Sequence, residues 1–161
     1  MKIPDFSVLQ DQSKLSAGME KPRAWYIPYT CRCGALNGAH ALSGGLAEYG
    51  GLLESLKGDW QFYYFDNTDA AADAFRLDFD AGQYRPDTIK VPSSWQMYGY
   101  GVPQYVNADY PIPLDPPRVP RENPVGVYRR GFRLPKQFAG RRVYLNFEGV
   151  DTLYFVYVNG Q

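Results

Sequence analysis

The thiol and imidazole side chains, the softest metal ligands and readiest nucleophiles in the sequence, are Cys31, Cys33 and His40. Together they offer at most three zinc ligands, in a Gly/Ala-rich stretch with no second CxxC or HxxxH pattern. Structural zinc takes four ligands, so no metal site is expected. Only Arg32 separates the cysteines. A bridge between them would close a small strained loop, and free thiols are the expectation. His40 is the one histidine, so a Ser–His–Asp or Cys–His site would have to use it. It lies in "GALNGAHALSGG", a run poorly suited to hold a preorganised base. There is no Walker A motif, GxGxxG or GxSxG. The carboxylates fall in turns or on exposed strand faces, where solvation is sufficient explanation. No catalytic residue is expected in this chain.

The aromatic side chains are the other chemical resource. The 161 residues include 14 Tyr, 9 Phe and 3 Trp, together 16%, alongside 16 Gly and 13 Pro. That mixture points to an all-β domain with many turns. Aromatic rings also cover the apolar face of a pyranose, and composition does not separate the two uses. Seventeen Lys+Arg balance seventeen Asp+Glu, which leaves no basic footprint for nucleic acid or an anionic membrane. The length falls short of the roughly 200 residues a (β/α)₈ barrel needs. No apolar run is long enough for a transmembrane helix, and Met1 to Gln12 lacks the apolar core of a secretory signal. A cytoplasmic setting is expected.

The elements that would position these groups become clearer along the chain. Residues 1–30 read as an irregular arm with Pro4, Pro22 and Pro28. Residues 31–55 read as a loop with at most a short helix, since Gly44, Gly45, Gly50 and Gly51 interrupt the face of Leu42, Leu46 and Tyr49. "SLKGDWQFYYFD" turns at Lys57-Gly58-Asp59 and continues as a strand whose Trp60–Phe65 run suits burial on both faces. "TIKVP" (88–92) is a short strand stopped by Pro92. Six prolines between 111 and 124 exclude helix and central strand there.

Three further strands are expected from alternation: 126–135, 141–149 and 152–160. The last ends in Asn159-Gly160, the strongest short hairpin-turn signal. Strands joined by short turns give an antiparallel β-sandwich or jelly roll. The return strand after that turn is missing, so a domain cut before it closes is expected in preference to a natural edge capped by a partner.

Residues 91–135, "VPSSWQMYGYGVPQYVNADYPIPLDPPRVPRENPVGVYRRGFRLP", followed by "RRVYLNFEGVDTLYFVYVNGQ", resemble the N-terminal sugar-binding domain of glycoside hydrolase family 2 β-galactosidases. "SLKGDWQFYYF" resembles that family's entry strand, and "KPRAWYIPY" (21–29) its N-terminal arm. Residues 31–54 depart from the pattern. The resemblance implies a galactose-binding-like jelly roll over 55–161, incomplete at its C-terminus, preceded by an arm and irregular loop over 1–54. It implies a retaining mechanism whose two glutamates, about 5–5.5 Å apart, lie on a barrel outside this chain. The chain alone is then expected to be inactive and to need no cofactor, the family's Mg and Na sites lying mostly elsewhere.

One side chain carries over. The family's Y-x-N-x-x-Y-P asparagine reaches from the first domain to the sugar, and it matches Asn107 in "QYVNADYP". An amide offers a hydroxyl both a donor and an acceptor. An Asn in a loop also commonly satisfies a turn. Trp95, Tyr98, Tyr100 and Tyr105 would either stack on sugar or pack the proline loop against the sandwich, the second being the commoner use of such residues. The implied partners are a β-galactoside and the remaining domains or subunits of the enzyme, with no nucleic acid and no membrane. A standalone carbohydrate-binding module is an alternative. So is an assembly or complementation role for residues 1–30, whose Trp25, Tyr26, Ile27 and Tyr29 are apolar for a free tail.

Overall fold

The computed structural model describes residues 11–14, 16–38, 50–75, 84–103, 115, 116, 118 and 120–160. These fall into two compact units. One takes in Lys57–Arg130 with the stretches 11–19 and 150–160, and the other Glu20–Leu56 with Gly131–Gly149.

The first unit is built on a three-stranded antiparallel sheet. β1 (Gly58–Phe65) lies in the middle, with β2 (Asp87–Val91) on one side and β3 (Val125–Arg129) on the other. The register sets Trp60 opposite Ile89, Phe62 opposite both Asp87 and Tyr128, and Tyr63 opposite Val127. Side chains alternate across a strand. Trp60, Phe62 and Tyr64 therefore share one face with Ile89 and Tyr128, while Tyr63 and Phe65 share the other with Val125 and Val127.

Both faces are buried, as the β1 sequence led one to expect. Phe62 and Ile89 are 1% exposed. On the opposite face Tyr63 and Phe65 pack with Ala71 and Ala74, joined by Tyr84, Val125 and Val127. Removing a side chain such as Phe62 from water stabilises the fold by about 1.5–3 kcal/mol. The exposed Asp59–Lys90 ion pair, at 3.1 Å across β1 and β2, contributes at most about 1 kcal/mol.

The second unit holds the short helix α1 (Arg32–Gly38). Its frame is a single antiparallel bridge between Tyr29 and Gly51. The Thr30 N–H donates to Gly50 O at 3.1 Å and the Leu52 N–H to Pro28 O at 2.8 Å. The Gln137 side chain donates to Gly51 O at 3.1 Å. Arg23 lies over Tyr26 at 5.5 Å and over Tyr144 at 4.9 Å. α1 lies within 31–55, where a loop with at most a short helix was expected, but over different residues from the face of Leu42, Leu46 and Tyr49, which lies outside the described residues.

The regular structure is an antiparallel sheet with little helix, which is the expected all-β class and is consistent with a β-sandwich domain. Three strand boundaries need correction. The strand expected over 126–135 ends at Arg129. The described residues of 141–149 and 152–160 form no ladder. Their alternation specifies which side chains would share a face. A strand also needs a partner whose N–H and C=O groups are in register, and no described segment supplies one. Val143, Leu145 and Phe147 accordingly stand exposed. The Asn-Gly turn does adopt its expected conformation, with φ of 51° at Asn159 and 82° at Gly160.

Candidate functional site

The aromatic loop after β2 closes over the Phe62 face of the sheet. Trp95–Tyr98 form one 3-10 turn, ended by Gly99 in the left-handed region at φ 87°. That conformation favours glycine and sends Tyr100 back toward the sheet. Trp95 lies tilted on Phe62 at 5.9 Å and edge-on to Tyr64 at 5.9 Å. Tyr100 stacks on Tyr64 at 5.4 Å and meets Phe62 edge-on at 5.0 Å. Tyr128 approaches Phe62 at 4.9 Å. Burial raises the Tyr128 phenol above its ordinary pKa.

The loop also ties down the outer edge of β2. Tyr98 Oη accepts the Lys90 backbone N–H at 3.0 Å, which satisfies an edge-strand donor. The Tyr100 hydroxyl donates to the Asp87 carboxylate. Trp95 and Tyr100 thus each turn ring surface to the sheet, and Tyr98 keeps the most solvent-exposed ring of the three. Tyr105 and Asn107 lie outside the described residues, as does His40.

Beside this loop is a cleft of about 380 Å³, where the end of β1 meets the start of β2. Tyr64, Tyr84 and Tyr100 bring aromatic surface to it, and Arg85 and Asp87 bring a planar cation and a carboxylate. Aromatic faces beside planar hydrogen-bonding groups suit a polyhydroxylated ring. Tyr84, Arg85 and Asp87 were not singled out from sequence. The signal available was "YRPD" (84–87), an aromatic and two charges gathered around a proline at a strand start.

The chemistry elsewhere is plain. Asp11, Asp59 and Asp115 each pair with a lysine or arginine at 3.1 Å on the surface. Hydrogen bonds from Ser13 and Lys14 hold the Asp11 carboxyl below its usual value. Among the described residues no cluster of three His, Cys, Asp or Glu could hold a metal. None of the described helices is long and apolar enough to cross a membrane. Cys31 and Cys33 are exposed free thiols with their sulfurs 2.8 Å apart.

The profile of the family described as "Glycosyl hydrolases family 2, sugar binding domain" matches residues 53–161. The chain belongs to this family. The match to this glycosyl hydrolase domain spans the three-stranded sheet, the aromatic loop and the cleft. Similar proteins carry the name β-galactosidase. One from Actinobacillus pleuropneumoniae is 38% identical over 162 aligned positions, all of this chain and 14% of that protein. One from Kluyveromyces lactis is 46% identical over 114 positions, covering 68% of this chain and 11% of the relative. One from Staphylococcus xylosus is 39% identical over 106 positions, covering 66% and 10%. The chain therefore spans only about a tenth to a seventh of the length of these relatives.

Proposed function

We propose that the chain is the N-terminal sugar-binding part of a β-galactosidase, with an arm and loop over 1–54 and the sugar-binding domain over 55–161. In this reading Asn107 hydrogen-bonds the galactoside, and the bond-breaking carboxylates come from a barrel in another part of the enzyme. The remaining domains or subunits of that enzyme, in the cytoplasm, are its partners. The observation that carries the reading is the family match over residues 53–161, a span that contains "QYVNADYP". The aromatic loop supports it physically. Gly99, Trp95 and Tyr100 fix residues 95–101 on the sheet immediately before the Asn107 segment. A side chain that must meet substrate is best launched from such a rigid base.

The cleft at Arg85 and Asp87 favours a second reading, a module that binds sugar by itself. Two measurements on the isolated chain separate them. A chromogenic β-galactoside is expected to stay intact, and galactose in a calorimetric titration is expected to give no heat, because the barrel supplies the other wall of the site. Turnover would overturn the first reading. Millimolar galactose binding that Asp87→Ala abolishes would replace it with the second.

A further inference from the structure

Cys31 and Cys33 belong to none of the chemistry described so far. Their Sγ atoms are in hydrogen-bond contact at 2.8 Å, and both side chains are open to solvent. Cys31 Sγ also accepts the Gly34 backbone N–H at 3.2 Å. The Cys31 sulfur therefore meets both a backbone donor and a second thiol. The asymmetry comes from Gly34, whose N–H donates to the Cys31 sulfur, while in the contact between the two sulfurs either thiol can donate. A sulfur that accepts a backbone N–H is favoured as thiolate, the nucleophilic form. These two contacts hold the Cys31 thiol below its ordinary pKa, while the same bond and the nearby Cys31 charge raise Cys33.

We propose that Cys31 and Cys33 form a peroxide-responsive dithiol, in which Cys31 attacks a hydroperoxide and Cys33 resolves the product to a disulfide. In the first step the Cys31 thiolate attacks one peroxide oxygen. An S–O bond forms, the O–O bond breaks, and the departing oxygen takes a proton and leaves as water when the oxidant is hydrogen peroxide. Sulfur loses two electrons to the peroxide, giving a sulfenic acid. In the second step the Cys33 sulfur, giving up its proton, attacks the Cys31 sulfur and displaces its hydroxyl as a second water. Two thiols and one peroxide thus become one disulfide and two waters.

Proximity favours the second step. A disulfide is about 2.05 Å long, so the sulfurs close less than about one ångström from their observed contact. Solvent exposure admits both the oxidant and a reducing thiol. The one-residue spacing makes the ring small, and strained or exposed disulfides are the easily reduced ones. The expected strain therefore argues against a permanent structural bridge and for a reversible one.

Arg32 makes the test direct, since trypsin cuts between the two cysteines. The chain is treated with hydrogen peroxide, blocked with N-ethylmaleimide, digested without reductant and analysed by mass spectrometry. The peptides ending at Arg32 and beginning at Cys33 are expected to stay joined, to separate with dithiothreitol, and to come from monomeric chain. In Cys33→Ser, dimedone is expected to label Cys31 at least about tenfold faster than it labels Cys33 in Cys31→Ser, as the thiolate character of Cys31 requires. Unlinked peptides bearing maleimide, or Cys31 driven to sulfinic acid in the unsubstituted chain, would overturn the proposal. So would equal dimedone labelling of the two variants.

Discussion

Trp95 lies so close over Gly126 that a Cβ placed at 126 would fall within contact distance of the indole ring carbons and 2.8 Å from the Phe62 ring. Gly126 sits opposite Tyr64 in the β1–β3 ladder. The missing side chain is what lets the aromatic loop lie flat on the sheet. Gly126→Ala is therefore expected to displace Trp95 and to cost about 1–3 kcal/mol, the usual range for overpacking a core. Urea unfolding followed by tryptophan fluorescence reads both effects. An unchanged midpoint and unchanged native emission would show that the loop does not depend on this contact.

Tyr100 separates the contribution of a ring from that of a hydroxyl. Its hydroxyl bond to Asp87 is near solvent, so Tyr100→Phe should cost no more than about 1 kcal/mol. Tyr100→Ala also loses the contacts with Tyr64 and Phe62, and should cost about 2–3 kcal/mol. Equal losses in the two variants, measured by denaturation, would contradict the assignment of the loop's anchorage to ring packing.

Tyr128 gives the sheet a pH signature. Burial raises its phenol above the ordinary tyrosine value, because the charged form is poorly solvated there. The sign follows from linkage: the contribution is complete below the ordinary tyrosine value and is lost as pH rises through the raised one. Unfolding midpoints should fall above about pH 10. Tyr128→Phe should flatten that fall, with little change at neutral pH. A decline of the same slope in both proteins would assign the alkaline loss to other groups.

The β1 and β2 strands were legible in sequence for a physical reason. β1 is a run of strand-forming aromatics that follows the Lys57-Gly58-Asp59 turn signal, and β2 alternates Ile89 and Val91 with polar residues and stops at Pro92. The same pattern over 141–149 and 152–160 was misleading, since alternation does not state whether a partner strand is at hand. Trp95, Tyr98 and Tyr100 were recognised as a group, but only their coordinates reveal that Tyr98 caps Lys90 and Tyr100 stacks on Tyr64. The cleft residues Tyr84, Arg85 and Asp87 were not legible. They come together because β1 ends where β2 begins, a long-range pairing that local spacing does not encode. The Cys31–Cys33 contact was partly legible: spacing put the thiols near one another, but did not show that the Gly34 N–H falls on Cys31.

The proposed role of this chain is to supply Asn107 to the sugar in a galactoside-cleaving enzyme. Its most direct test is a chimera in which the chain replaces the aligned N-terminal positions of the Actinobacillus pleuropneumoniae relative, assayed for kcat/KM on a chromogenic β-galactoside. The chimera is expected to be active and to be weakened about ten- to a hundredfold by Asn107→Ala, the cost of one lost hydrogen bond in a closed site. An active, stably folded chimera whose kcat/KM is unchanged by Asn107→Ala would contradict it.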